Sequence, residues 1–517
     1  MPVLTDDEQI SALAAPLQLP CGLELQNRLV KAAMEEMLGT GNGLPSELDC
    51  ELYRTWAEGG YGMILSGNVQ ISPEHLGTPL DLVVPSSSAS SRPAALAAFS
   101  SWASSLTPSP SFAPTKGKRP VSIMQLNHAG RQSVRFFCGR SPFKPALAPS
   151  AVPMTSGSGP LGRLIGRLVW GMPKEMTEGD IDDVVDSFVR GAKLAKESGW
   201  DGVQLHASHG YLLAQFMSPK VNRRTDLYGG SARKRLNLLF RIVDAVRAEF
   251  PQESGFCLGI KLNSSDYVKG GLTEQDALDN VKWIAEHGGV DFIEISGGSY
   301  ENPEFLNTSP TTKPSTALRE AFFDAFSQRA HFLLSTLPPS TLPSPPPLIL
   351  LTGGFRTRLG MSRAVHTSSK PPTADLIGLG RPAAADPHLP RKLLDPSLPG
   401  ALAKAPEYDS LSGVRALKWL LGSIAIFGPG LDVLYHTLLM RQIALEGLMK
   451  RRTELEKRNG AGKAAKVDEV EDEERRLCGF WVLVWRVYVQ PLVPRWLMWL
   501  LGALVVALLG GRKWSGA

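Results

Sequence analysis

The segment Glu178–Ser208 has the sequence E-G-D-I-D-D-V-V-D-S-F-V-R-G-A-K-L-A-K-E-S-G-W-D-G-V-Q-L-H-A-S, and it indicates the fold of the chain. Apolar residues recur three and four positions apart, acids stand early and lysines stand late. This pattern predicts a helix over Glu178–Ser198 that stops at Gly199. A short β-rich run, Gly202–Ser208, follows at once. Alternation of helix and strand is typical of proteins with a parallel sheet.

Runs of the same kind recur along the chain. Most are nearly continuous apolar stretches that end in a polar residue or Gly, as expected of parallel strands buried on both faces. Their number predicts an α/β fold, a (β/α)8 TIM barrel over residues 1–399, with low-complexity surface insertions near 85–115 and 337–347. The eight runs are Arg28–Met34, Gly62–Asn68, Ser122–His128, Gly202–Ser208, Cys257–Ser265, Asp291–Gly298, Leu348–Gly354 and Ala374–Arg381.

Composition excludes several functions. The chain has 55 Lys and Arg against 50 Asp and Glu, and a net charge of +5 on 517 residues gives no reason to expect a nucleic-acid partner. Its five cysteines are scattered without ligand spacing, which argues against a disulfide framework, structural zinc or an iron–sulfur cluster. The N-terminus begins with M-P-V-L-T-D-D-E, unlike a signal peptide, so we expect an intracellular protein.

The barrel pattern stops near Pro399, and the rest of the chain differs in kind. An apolar helical segment is predicted over residues 400–448, a charged linker or helix over 449–477, and a C-terminal membrane anchor over 478–517. Trp496–Gly511 carries no charge, and tryptophans flank it as in an interfacial belt. We expect membrane association with the barrel facing the cytosol. A buried amphipathic helix against the barrel or a partner subunit is the alternative.

The segment after the fourth predicted strand carries the clearest chemistry. His206 ends that strand, and His209 and Tyr211 follow within one turn, at the barrel face where catalytic residues gather. Two imidazoles this close are able to bind a metal, but no third ligand stands at a suitable spacing. They are also able to donate paired hydrogen bonds to a carbonyl or phenolate oxygen, with Tyr211 as a proton source. We favour this second interpretation.

These residues resemble the Old Yellow Enzyme family of flavin-dependent ene-reductases, which are FMN-binding (β/α)8 barrels. The family's H-x-x-[H/N]-x-Y triplet is present as His206, His209 and Tyr211. It is followed by S-P-x-x-N-x-R-T-D-x-Y-G-G-S over Ser218–Ser231, a long and specific match. The resemblance covers approximately Ala15–Pro399.

The resemblance implies a set of FMN-binding residues. Gln125, which opens Q-L-N-H-A-G-R, corresponds to the residue that hydrogen-bonds the flavin pyrimidine. The motifs T-G-G-F-R-T and G-L-G-R-P correspond to the loops that hold the FMN phosphate. Two glycine turns and an arginine at the last two strands of a barrel also suit phosphate on physical grounds. The phosphate residues are Gly353, Gly354, Gly380 and Arg381.

Two positions depart from the family pattern. After Met34, a further cofactor candidate, the family usually has Thr or Cys near the flavin C4 carbonyl, where this chain has Glu35. We expect Glu35 either to be protonated by burial or to point away. Lys261 stands where many members carry Arg beside flavin N1 and O2, and it still supplies positive charge. Asn68, at the end of the second strand, is a weaker cofactor candidate.

The resemblance implies a ping-pong reaction. NADH or NADPH reduces the flavin, and an α,β-unsaturated carbonyl compound then takes its place. The sequence leaves two alternatives: a related dehydrogenase acting on amines or dienoyl thioesters, and a non-catalytic, membrane-tethered barrel that binds flavin or a hydrophobic ligand. The sequence after Pro399 has one cysteine and no G-x-G-x-x-G, which disfavours the dehydrogenase.

Overall fold

The computed structural model describes residues 4–86, 92–108, 119–141, 143–155, 159–297, 323–366, 372–406 and 427–458. Within these ranges, eight parallel strands form a closed barrel, because the first strand pairs with both the second and the last. The predicted (β/α)8 fold is confirmed, and every strand lies at its predicted place. The strands are β1 Leu29–Lys31, β2 Met63–Gln70, β3 Val121–Asn127, β4 Gly202–Ala207, β5 Cys257–Asn263, β6 Phe292–Ser296, β7 Leu348–Thr352 and β8 Leu376–Leu379.

Helices surround the barrel and extend beyond it. A two-stranded hairpin, Leu17–Gln18 with Glu24–Leu25, precedes β1. Three further short strands are Leu82–Val83, which extends the sheet at β2, and Leu147–Ala148 with Lys174–Glu175. The α-helices in the described ranges are α1 Asp6–Ala14, α2 Glu47–Glu58, α3 Arg92–Ser105, α4 Gly159–Val169, α5 Glu178–Ser198, α6 Leu212–Met217, α7 Asn237–Glu249, α8 Glu274–His287, α9 Asp324–Thr336, α10 Arg358–Val365, α11 Arg381–Ala385, α12 Leu389–Leu393 and α13 Phe427–Arg458.

Helix α5 occupies the predicted residues because both of its ends are specified locally. Thr177 and Asp180 form a reciprocal capping box at the N-terminus, which satisfies free backbone N–H groups. At the C-terminus, Gly199 adopts φ 94°, a left-handed conformation that costs glycine little. The chain therefore turns directly into β4, whose residues are all buried.

The inside of the barrel is apolar at one end and polar at the other. Side chains such as Leu65, Ile123 and Phe292 fill the end where the strands begin, under the N-terminal hairpin. Nearer the ends of the strands, Gln125 and Lys261 point into the interior and are almost fully buried. Burying polar and charged side chains costs free energy, so their presence here marks the carboxyl ends of the strands as the functional face.

Helix α3 corrects one prediction. The region 85–115 was expected to leave the barrel as a surface excursion around a helix. The helix is present, but Phe99 and Trp102 are fully buried, and α3 packs against α2 and α5 as part of the helical ring. The free energy gained by burying these two aromatic side chains holds α3 against the barrel, although the segment around it is rich in Ser and Ala. The proline-rich stretch 337–347, by contrast, forms only a short 3₁₀ turn, Pro339–Thr341, and is largely exposed.

The chain remains in contact with the barrel after Pro399. Lys404 forms a β-bridge with Thr357. Helix α13 then packs against α2 and α11 and buries Met440 and Ala444. Across the described ranges, no helix combines the length and the apolar character needed to cross a membrane. The predicted anchor, 478–517, lies outside the described residues and stays a prediction.

Candidate active site

The loop after β4 brings the predicted catalytic residues together. His206 lies within the last residues of β4, and Tyr211 precedes the first residue of α6. Between them, His209 has φ 56° and Gly210 has φ 74°. A left-handed conformation is uncommon for histidine, so the surrounding structure must hold it. Asn263 does so from the end of β5, because its Oδ1 accepts the His209 N–H at 3.0 Å and the Ser208 hydroxyl at 2.5 Å.

Hydrogen bonds assign the proton on each histidine ring. The backbone N–H of Ser208 donates to His206 Nδ1, 3.4 Å away, so a neutral His206 carries its proton on Nε2. His206 Nε2 lies 3.3 Å from His209 Nδ1, which then accepts. The proton of His209 is therefore on Nε2, where it donates to Ser296 Oγ at 2.8 Å. Both rings are arranged as donors through Nε2.

Both histidines are neutral. Burial, followed by the nearby Lys261 ammonium, lowers the pKa of His206 and of His209 well below the usual value. Lys261 pairs in register with His206 across β4 and β5, which places its charge beside the imidazoles. Neutral imidazoles retain one N–H each, and in this structure those N–H groups donate to His209 Nδ1 and Ser296 Oγ. An oxygen that gains negative charge would have to replace these acceptors.

Tyr211 contacts both the His206 ring and a carboxyl group. Its ring lies edge-on to the His206 ring, with centroids 4.6 Å apart. The Tyr211 hydroxyl donates to Glu35 Oε1 at 3.1 Å, and Asn68 Nδ2 donates to the same oxygen. Burial, then the charge of Asp81, raises the pKa of Glu35 to about 8. Both effects favour a protonated Glu35, which is one of the two outcomes expected from the sequence.

A second polar cluster crosses the barrel interior. Gln125 Nε2 donates to Gln204 Oε1 at 2.6 Å, and Gln204 Nε2 donates to Glu294 Oε2 at 2.8 Å. Lys261 Nζ lies 3.0 Å from Glu294 Oε1, in an ion pair that is almost completely buried. The predicted residues Gln125 and Lys261 thus belong to one network, which fixes their positions under the site.

The loops after β7 and β8 form the third group. Gly353 has φ 134° and Gly354 has φ 81°, conformations that residues with side chains rarely adopt. Gly380 and Arg381 stand at the end of β8, where α11 begins. A Cβ on Gly380 would lie 3.8 Å from Met34 Cγ, so Met34 borders this loop. The structure therefore places the predicted phosphate residues side by side, since β7 and β8 are neighbours.

Comparison with known proteins agrees with this geometry. Residues 120–307 match the NADH:flavin oxidoreductase / NADH oxidase family. The chain is 39% identical over 429 residues to the NADH-dependent flavin oxidoreductase iccE of Talaromyces variabilis, covering 80% of this chain and 97% of that protein. The chain belongs to the NADH:flavin oxidoreductase / NADH oxidase family. The resemblance to Old Yellow Enzyme is thereby confirmed, and the protein is an oxidoreductase.

Two further relatives extend the comparison. The NADH-dependent flavin oxidoreductase iliE of Neonectria sp. (strain DH2) is 42% identical over 383 residues, covering 73% of this chain. This chain matches only 46% of that longer protein. The old yellow enzyme homologue of Zymomonas mobilis has a similar structure, with a TM-score of 0.54, 20% identity, and coverage of 77% of this chain and 99% of that one. At that identity the likeness concerns the fold.

Sequence reasoning missed several residues of this flavin oxidoreductase site. Asn263 and Ser296 hold His209, and Glu294 joins Lys261 to Gln204. All three lie at or near the carboxyl ends of β5 and β6. A polar residue inside an otherwise apolar strand was the available signal, because such a residue has to find a partner in the interior.

Proposed function

We propose that the protein is an FMN-dependent NAD(P)H oxidoreductase that reduces the activated C=C bond of α,β-unsaturated carbonyl compounds. The observation that carries the proposal is the grouping at the end of β4. Two neutral imidazoles with Nε2 protons stand beside a tyrosine hydroxyl, which itself contacts a carboxyl group. An enone needs such a set: donors for its oxygen and an acid for its α carbon.

The residues present fit FMN. In the described ranges, Asn68 Oδ1 and Thr352 Oγ1 are buried without a hydrogen-bond partner, and both lie at strand ends that face the site. Gln125 and Lys261 would hold the pyrimidine side of the ring, with Met34 and Glu35 along its edge. The loops with Gly353, Gly354, Gly380 and Arg381 would hold the phosphate. Bound there, FMN supplies hydride taken from NADH or NADPH.

The chain's own residues perform the other tasks of the reaction. His206 and His209 turn their Nε2–H groups from His209 Nδ1 and Ser296 Oγ to the substrate carbonyl oxygen. These hydrogen bonds stabilise the enolate charge as hydride reaches Cβ. Burial, followed by the Lys261 ammonium, lowers the pKa of both rings and keeps them neutral. Tyr211 then protonates Cα, which completes the addition of hydrogen across the double bond. NAD(P)H and the enone use the same site in turn.

The substitution Tyr211→Phe tests this assignment. We expect reduction of the flavin by NADH to remain, and reoxidation by an enone to slow by about a hundredfold or more, as for loss of a general acid. Both half-reactions are measured by stopped-flow absorbance of the flavin. Tyr61→Phe is the matched control, since its hydroxyl is buried with no partner in the described residues. Tyr61 also precedes the first residue of β2, whereas the site lies where the strands end. Unchanged reoxidation in Tyr211→Phe contradicts the proposed acid.

A further inference from the structure

Glu35 lies where it can exchange a proton with Tyr211. Its Oε1 accepts hydrogen bonds from the Tyr211 hydroxyl and from Asn68 Nδ2. Because Oε1 is the acceptor of both, the proton of a neutral Glu35 is on Oε2, and rotation of the carboxyl group brings it to Tyr211. Tyr211 is only 3% exposed, whereas Glu35 is partly exposed. Of the two residues, Glu35 is the one with the readier route to solvent.

Two contacts hold Glu35 in this place. Thr437 of helix α13 is fully buried, and its hydroxyl donates to the Glu35 carbonyl oxygen at 3.2 Å. Asn68, on β2, fixes the side chain. Asn68 of the barrel therefore positions the carboxyl group of Glu35, and Thr437 of the C-terminal helix positions its backbone.

The surroundings favour a neutral carboxyl that still titrates. Asp81 accepts hydrogen bonds from Gln70 Nε2, the Gly77 and Thr78 N–H groups and the Thr78 hydroxyl. With four donors, Asp81 carries the negative charge of the pair, although burial raises the pKa of Asp81 as well. Titratable or polar groups around Glu35 are Tyr211, Asn68, Asp81, Glu36, Cys138 and Thr437.

We propose that Glu35 returns a proton to Tyr211 after each reduction, an inference that rests on the proposed function. The Tyr211 O–H bond breaks as the substrate Cα–H bond forms, which leaves a tyrosinate. The Glu35 O–H bond then breaks as the Tyr211 O–H bond forms again. The Glu35 carboxylate regains its proton from solvent, so the step moves protons only and needs no further oxidant or reductant.

The pH dependence follows from the state of Glu35. Below a pH of about 8 the Glu35 carboxyl is protonated and has a proton to return. Above that pH the carboxylate still accepts the hydrogen bond from the Tyr211 hydroxyl, and its negative charge opposes formation of a tyrosinate beside it. We expect the rate of flavin reoxidation by an enone to fall about tenfold from one pH unit below that value to one unit above, following the protonated fraction. Reduction by NADH should not follow this profile.

The experiment compares Glu35→Gln with the unsubstituted protein and with Glu253→Gln, a matched control at an exposed turn before β5. Glutamine keeps the hydrogen bond but does not ionise. We expect the pH dependence of reoxidation to disappear in Glu35→Gln and to persist in Glu253→Gln. A tenfold fall that is the same in all three proteins, or a flat profile in the unsubstituted protein, overturns the inference.

A second readout needs no turnover. The ultraviolet absorption of tyrosinate, taken as the difference from Tyr211→Phe, reports ionisation of Tyr211. In Glu35→Gln it should appear at lower pH than in the unsubstituted protein, because the carboxylate that opposes it is gone. Identical titrations overturn the relay. If NADH reduces the flavin and enones reoxidise it, the proposed function stands whatever this titration gives. If neither occurs, the proposed function fails and the relay fails with it, even where the titration shows that Glu35 and Tyr211 are coupled.

Discussion

At the scale of single residues, the proposed reaction depends on two imidazoles that stay neutral. Burial and the Lys261 ammonium lower the pKa of both, and Asn263 and Ser296 orient them. Each ring is thus limited to one proton and one direction of donation. In the proposed reaction these two N–H groups exchange His209 Nδ1 and Ser296 Oγ for the substrate oxygen, where they stabilise the charge that develops.

Phenol binding tests the role of the histidines. Phenols are expected to bind over the flavin with their oxygen on His206 and His209, and to give a charge-transfer band. The double variant His206→Ala, His209→Ala should lose the band, while His287→Ala, on the outside of the barrel, should keep it. In the unsubstituted protein the band should show no inflection near pH 6.5, where an unperturbed histidine titrates. A band that survives the double substitution removes both residues from the site.

At the scale of elements, the strand ends were predictable and the contacts between them were not. The pattern of apolar runs located all eight strands, and the cap residues located α5 at its observed bounds. The pairing of Lys261 with Glu294, and of Gln125 with Gln204, joins segments far apart in sequence. The sequence shows which residues are polar. Which of them meet depends on how the strands are aligned with one another around the closed barrel.

The loop after β7 allows a test of phosphate binding. Gly354 has φ 81°, where a residue with a Cβ is strained by about 1–2 kcal/mol. We expect Gly354→Ala to change the shape of the turn and to weaken FMN binding about tenfold or more. Gly255→Ala is the control, because Gly255 has a similar φ of 74° and open space around it, at a turn before β5. Fluorescence titration with FMN measures both. Equal FMN affinity in Gly354→Ala, Gly255→Ala and the unsubstituted protein contradicts a phosphate site at this loop.

At the scale of the whole molecule, the C-terminal part is joined to the site. Helix α13 packs on α2 and reaches Glu35 through Thr437. The sequence predicted a helical segment after the barrel, but it gave no signal that the segment would contact a candidate site residue. Over residues 435–453, where the side chains of α13 are described, the buried residues Thr437, Met440 and Ala444 follow helical spacing. Such spacing predicts a buried face, but it does not identify the elements that this face contacts.

The predicted membrane anchor is testable with a shortened chain. A chain that ends at Arg458 keeps α13 and removes residues 459–517, including the charge-free run of Trp496–Gly511. We expect the full chain to sediment with phospholipid vesicles and the shortened chain to stay in the supernatant, with equal flavin content. Equal sedimentation of the two proteins contradicts an anchor in this segment.

The most direct test of the proposed reaction follows where each hydrogen goes. The protein, loaded with FMN, is given NADH that carries deuterium at the transferred position, together with a simple enone in ordinary water. The expected product, read by NMR, has deuterium on Cβ and hydrogen from solvent on Cα, because Tyr211 supplies the second hydrogen. A protein that binds no flavin, or a product without deuterium on Cβ, would contradict the proposed function.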